Sequence, residues 1–201
     1  TVPVNDASLP DRLSEVVGSP LTIWPLLPED QLDHYRRGAP MLDDAEAEFR
    51  RMFGRTADEP LPDLSKFPEF LAEFESPPGT YFDAFPLLLM STESLETLAK
   101  AAPEQAFRVE RFRPNLLIET GSNADYPERD WVGRRVRVGS AELEITIDCP
   151  RCVMTTHGFA DLPKDPGIMR TLVRENGGEL GVYATVKTPG TVKIGDPLTL
   201  L

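Results

Sequence analysis

The sequence predicts an α+β fold, with helices gathered in the first half and short antiparallel strands in the second. Three observations carry this. Apolar residues alternate with polar ones over 135–138, 141–148 and 180–186, the period of a half-buried strand. Amphipathic helical stretches occupy 8–17, 41–53 and 92–102. Tight-turn dipeptides, Gly139-Ser140, Pro189-Gly190 and Gly195-Asp196, punctuate the strands, so the second half reads as a β-barrel or sandwich.

The elements follow in order. Pro10 at an early-turn position and Gly18 as a stop bracket a helix over 8–17. Leu21 to Trp24 reads as a short strand ended by Pro25. Met41 to Phe53 reads as a helix with Gly54 after it. Prolines 60, 62, 68, 77 and 78 make 55–80 a long loop, with one helical piece at Phe67–Phe74. Pro86 to Met90 is a buried strand, and Ser91 or Thr92 caps a helix through Ala102. Phe107 to Glu119 reads as extended, broken at Pro114. Arg135 to Val138, the turn Gly139-Ser140 and Ala141 to Asp148 form a hairpin. Asp165 caps a last helix that Gly177-Gly178 ends, before the strand from Leu180.

The 201 residues suffice to bury a core without covalent staples, and no apolar run reaches the length of a membrane span. The chain begins at Thr1 rather than Met, which leaves room for residues upstream. The net charge of −12 is uneven: residues 1–106 hold 20 acids and 8 bases, residues 107–201 hold 13 of each. An acidic first half repels phosphate and argues against nucleic acid as a partner. The two cysteines are near neighbours and cannot frame a secreted fold, so the expected setting is cytoplasmic.

Cys149-Pro150-Arg151-Cys152 is the strongest local signal. A redox pair needs a helix start to lower a thiol pKa, and the following Thr155-Thr156 and Gly158 do not continue a helix. Structural zinc needs four ligands, and only His34 and His157 stand beside the cysteines, at unfamiliar spacing. Both are therefore minor readings beside two others: small apolar side chains at a strand end, or a single thiolate for a soft metal, kept ionised by Arg151. In Arg111-Phe112-Arg113-Pro114-Asn115, two arginines at i and i+2 of an extended segment point one way, as an anion grip would. From these residues alone, a charged strand face paired with Glu110 and Glu119 is the favoured reading over the anion grip. Gly177 to Gly181 follows a helix and precedes a strand, the reverse of a nucleotide loop.

Four segments, in order, resemble the MOSC family, the molybdenum cofactor sulfurase C-terminal type. They are Arg111 to Ile118, Trp131 to Gly139, Cys149 to Thr156, and Gly190 to Leu198. The resemblance implies a β-barrel-based fold with flanking helices over 80–201, preceded by a linker-like, proline-rich segment over 1–79 that packs on it. It implies a pterin-molybdenum cofactor with Cys152 as the metal ligand and catalytic residue. It further implies cofactor contacts from Arg111, Arg113, Asn115 and Arg151. The amidoxime-reducing members of the family reduce N-hydroxylated compounds with electrons from flavin and iron–sulfur or haem partners. Other members are thought to move sulfur, which would make Cys152 a persulfide carrier; a barrel that only docks a partner is the third expectation. Those reductases also carry an N-terminal domain with a lysine-serine element. Here Ile23 to Leu27 has leucine where that lysine would stand, and His157-Gly158-Phe159 replaces an aspartate-rich turn. This chain is therefore expected to be the C-terminal portion of a two-domain architecture that holds its cofactor weakly alone.

Overall fold

A computed structural model describes residues 2–201; Thr1 lies outside the described residues. The fold is α+β. One mixed six-stranded sheet has the order β2-β1-β5-β4-β3-β6, with β1 Leu87–Ser91, β2 Leu116–Ile118, β3 Arg135–Val138, β4 Ala141–Pro150, β5 Glu179–Thr188 and β6 Leu198–Leu200. It curls into a half-barrel whose edge strands β2 and β6 do not pair with each other. Among the described strands only β1 and β2 are parallel. The two longest strands, β4 and β5, form the middle of the sheet and carry its register shifts, the last of them between Asp148 and Pro150. These irregularities bend β4 as it delivers the Cys149–Cys152 segment.

The helices are α1 Leu9–Val17, α2 Leu32–Tyr35, α3 Ala45–Phe53, α4 Thr92–Ala101, α5 Val109–Phe112 and α6 Gly167–Asn176. Local chemistry sets their ends. Gly18, Gly54 and Gly177 close α1, α3 and α6 in the left-handed conformation. The Asp44 carboxylate accepts from the amides of Glu46 and Ala47 and starts α3 four residues later than the apolar pattern suggests. Ser91 accepts from the Ser94 amide and starts α4. Asp165 accepts from the Gly167 amide at 2.9 Å at the start of α6.

The two sheet faces have separate cores. Leu89, Trp131, Val136, Val138, Leu143, Ile145, Val182 and Ala184 pack one face. The other packs against α4, α5 and α6 through Met90, Leu98, Phe112, Cys149, Ile168, Met169 and Leu172. Burial on both faces explains why β5 is closed from Leu180 to Ala184 rather than alternating.

One expected strand is absent among the described residues, and another is cut short. Leu21–Trp24 has no ladder partner, and Ile23 and Trp24 stay exposed. Phe107–Glu119 is extended only at β2. Before it the chain makes the helical turn α5, because burying both Phe107 and Phe112, stacked at 6.5 Å, requires a turn between them. Among the described residues no helix is long and apolar enough to cross a membrane.

Candidate functional site

The candidate site lies where the end of β4 meets the loop after α5. Arg113 terminates α5 in the left-handed conformation, φ 52° and ψ 50°, with its amide donating to the Val109 carbonyl at 2.9 Å. The sequence expectation that Pro114 would hold Arg113 extended is corrected here. Closing the helical turn and reversing the chain into β2 wins over the pre-proline preference. Arg111 and Arg113 therefore do not form a fork on one strand face. Arg113 is exposed, while Arg111 is buried.

Arg111 points at backbone. Its Nε donates to the Ala106 carbonyl at 3.0 Å. Nη1 donates to the carbonyls of Thr155 at 3.3 Å and His157 at 3.2 Å, and Nη2 to Pro163 at 2.8 Å. Of five guanidinium donors, this leaves one N–H for any ligand. Neither Glu110 nor Glu119 pairs with it; Glu110 pairs instead with Arg108, which also binds Asp161.

Arg151 crosses in the opposite direction. It is buried, and its Nη2 donates to the Phe112 carbonyl at 2.7 Å while the guanidinium lies over the Phe112 ring. Its Nη1 donates to Cys149 Sγ at 3.1 Å. The sulfur that Arg151 hydrogen-bonds is that of Cys149, and its charge also acts on Cys152. Arg151 Nε has no partner among the described residues, and the side chain forms no ion pair there. A buried guanidinium without a carboxylate is held by the ring face, a carbonyl and a sulfur.

The two cysteines differ sharply. Cys149 is 1% exposed, and burial pushes its thiol pKa up. Tyr183, buried and stacked on Phe85, is pushed up for the same first reason. Cys152 is partly exposed and precedes a 3-10 turn over Val153–Thr156, whose Thr155 and Thr156 hydroxyls donate back to the carbonyls of Cys152 and Val153. A single 3-10 turn is not the helix start that a redox pair needs. His157 is exposed, as its loop position predicts.

Asn115 faces the sheet edge. Its Oδ1 accepts from the Leu88 amide at 2.8 Å and its own amide donates to the Leu88 carbonyl at 2.8 Å. That pair, the second bond coming from the backbone amide, starts the parallel ladder of β2 on β1 and leaves the Asn115 side-chain Nδ2 as the group available to a ligand.

Sequence reasoning missed Arg55 and Glu128. Arg55 is buried, its pKa lowered first by burial, and its Nε and Nη2 have no partner among the described residues. It lies against Gly178, where a Cβ would collide with the Arg55 guanidinium. The Gly178 carbonyl accepts from the Arg151 amide at 2.9 Å, so α3 and its following loop sit directly behind the Cys152 segment; a Cβ on Gly54 would touch Val153 at 3.5 Å. Glu128, fully buried, accepts from Ser91 Oγ at 2.6 Å and Ser94 Oγ at 2.7 Å. Neither residue sits in a recognisable motif; each acquires its surroundings only through long-range packing.

Two shallow cavities, of about 340 and 440 Å³, lie along the N-terminal segment, one lined by residues of 30–36 and the other by residues of 26–29 with Gly79. Neither includes a residue of the two motifs. Among the described residues there is no group of three or more His, Cys, Asp or Glu side chains able to hold a metal ion.

The chain is 31% identical over 160 residues to mitochondrial amidoxime reducing component 2 of Homo sapiens, covering 73% of this chain and 44% of that protein. It is 31% identical over 134 residues to mitochondrial amidoxime-reducing component 1 of Mus musculus, covering 60% of this chain and 38% of that one. Molybdenum cofactor sulfurase of Anopheles gambiae is 34% identical over 87 residues, 42% of this chain and 11% of the sulfurase. The chain thus spans about two fifths of the length of the curated amidoxime-reducing relatives it matches. Among solved structures, YiiM from Escherichia coli superposes with a TM-score of 0.42 at 24% identity, over 58% of this chain and 54% of that one. The MOSC domain model matches residues 77–199, and with that match the chain belongs to the MOSC domain family.

Proposed function

We propose that this protein binds a pterin-molybdenum cofactor through Cys152 and reduces small N- or S-oxygenated molecules. The observation that carries the reading is the contrast between the two thiols, one sealed in the core and one open beside the Arg113 turn. The donor set fits such a group. One thiolate cannot cage a metal, and no protein cluster of three or more ligands exists among the described residues, so a metal here has to bring its own organic ligands. The orphaned, buried Arg151 Nε lies in the same segment as Cys152 and lacks an acceptor. Exposed Arg113 and the free amide of Asn115 suit the cofactor's phosphate and pterin edges.

When bound, the cofactor supplies a two-electron oxygen-accepting centre. The chain's own part is to ligate, orient and neutralise. Cys152 donates a soft sulfur. Arg113 offsets the phosphate charge, and Arg151 adds fixed positive charge behind the thiol. The net reaction consumes two electrons and two protons and releases water. In this reading the electrons come from a separate flavin or iron–sulfur protein, and the cytoplasm, or another reducing compartment, keeps both cysteines as thiols.

The test is molybdenum per chain after purification from a cofactor-competent host. Near-stoichiometric metal that falls at least about tenfold in Cys152→Ser, and not in Cys149→Ser, supports the reading; metal unaffected by Cys152→Ser refutes it. The sulfurase relative favours a second reading, in which Cys152 takes a sulfane sulfur from a donor persulfide and passes it on. A mass increase of one sulfur atom on Cys152, in a chain without molybdenum, selects that reading.

A further inference from the structure

We infer that Arg111 and Arg151 form a reciprocal clasp that fixes the Arg113 turn against the Cys152 loop, so that both act as positioning residues, with one Arg111 N–H and the Arg151 Nε left outside the clasp. The inference rests on the reading of Cys152 and Arg113 given above and assigns a different task to their neighbours.

The geometry is that of two hooks set in opposite directions. Arg111, from α5, reaches across to the carbonyls of Thr155 and His157, just after Cys152. Arg151, just before Cys152, reaches back to the carbonyl of Phe112, just before Arg113. Each arginine therefore lies two residues or fewer from one member of the pair and grips the backbone beside the other. Both guanidinium groups are buried; Arg111 gives its bonded donors to carbonyls, and Arg151 divides its own between the Phe112 carbonyl and the Cys149 sulfur. Backbone carbonyls have no side-chain freedom, so a fork that spans two of them restrains both segments at once. Cys149 completes the second hook. Its sulfur accepts from Arg151 Nη1, which sets the direction in which Nη2 meets Phe112. This gives the buried cysteine of the motif a function without making it a nucleophile.

Arginine is required on this account, and charge alone is not enough. Lysine keeps the charge but cannot bridge two acceptors in a fixed plane. The two hooks act in parallel on one gap, so either can hold it while both are needed to be lost before it opens. That arrangement predicts coupling between residues that do not touch.

The experiment is a double-variant cycle on the full chain, read by the alkylation rate of Cys152 with iodoacetamide, followed by peptide mass. Arg111→Lys and Arg151→Lys should each raise the rate by about twofold to fivefold. The double variant should exceed the product of the two by at least about threefold, with the folded state confirmed by circular dichroism. Rates that multiply within about twofold, or that stay at the wild-type value in the double variant, overturn the clasp. If Arg151→Lys does not fold, Cys149→Ser replaces it in the cycle, because it alters only the sulfur acceptor. Molybdenum content separates the two ideas. Metal retained by Cys152→Ser sinks the cofactor reading, while the alkylation rates still decide for or against the clasp. Metal lost in Cys152→Ser but held fully by the folded Arg111→Lys/Arg151→Lys chain, with rates that multiply, sinks the clasp alone.

Discussion

Alkylating the native protein with iodoacetamide should label Cys152 at least about a thousandfold faster than Cys149. The factor follows from how each sulfur meets solvent. Cys152 is partly exposed and needs no opening of the fold. Cys149 is 1% exposed, packed with Phe112, Met169 and Leu180 in the helix-facing core, and must wait for that core to open. Core openings cost a large share of a global stability of about 5–15 kcal/mol, and even a sub-global opening of about 4 kcal/mol exposes the thiol about one part in a thousand. Burial also holds the Cys149 thiol pKa above its ordinary value, so less of it is thiolate at neutral pH. The assay is a time course under native conditions, quantified on the peptide that contains both cysteines by fragment masses. Rates within tenfold of each other would refute the reasoning, since they would require the β4 end to open almost freely.

Further perturbations test other parts of the structure. Glu128→Ala strands two buried serine hydroxyls and leaves a cavity, which should cost about 3–5 kcal/mol in chemical denaturation; adding Ser91→Ala and Ser94→Ala should recover part of that loss, and a further loss would refute the account. Stability should fall as pH climbs past the ordinary thiol value of about 8.5, because the unfolded chain ionises Cys149 while the folded chain holds it protonated. Cys149→Ala should flatten that alkaline decline, measured as the urea midpoint against pH. Arg113→Lys should weaken phosphate binding by about tenfold in calorimetry despite its charge; equal affinity would remove Arg113 from the anion contact.

The strands with clean alternation are legible in the sequence. β3 and β4 pair through Gly139-Ser140 as the turn predicts, with Val138 opposite Ala141, and α6 starts and stops at its Asp165 and glycine signals. Leu21–Trp24 has the pattern of a strand without being one, because a strand exists only where a partner offers a ladder, and none reaches it. α5 escapes the local pattern because its apolar residues answer to the core and its arginine to distant carbonyls. The motif residues are visible as a set, but their directions are not. Arg111 looks like an anion donor until the carbonyls of Thr155, His157 and Pro163 are brought to it by the loop after Cys152. Arg55 and Glu128 carry no local signal at all, since each is defined by partners that only the folded chain supplies.

The backbone of Arg113 has a further consequence. Its φ of 52° is a conformation that costs a branched or bulky residue about 1–2 kcal/mol and costs glycine almost nothing. Its side chain is exposed to solvent. Glycine would therefore be the choice of stability alone at this position. Arg113→Gly should raise the melting temperature by a few degrees while removing the cation that the turn presents to solvent. A position where the more durable protein is the one deprived of a charge is a place where durability and use pull apart, and the variant lets each be measured without the other.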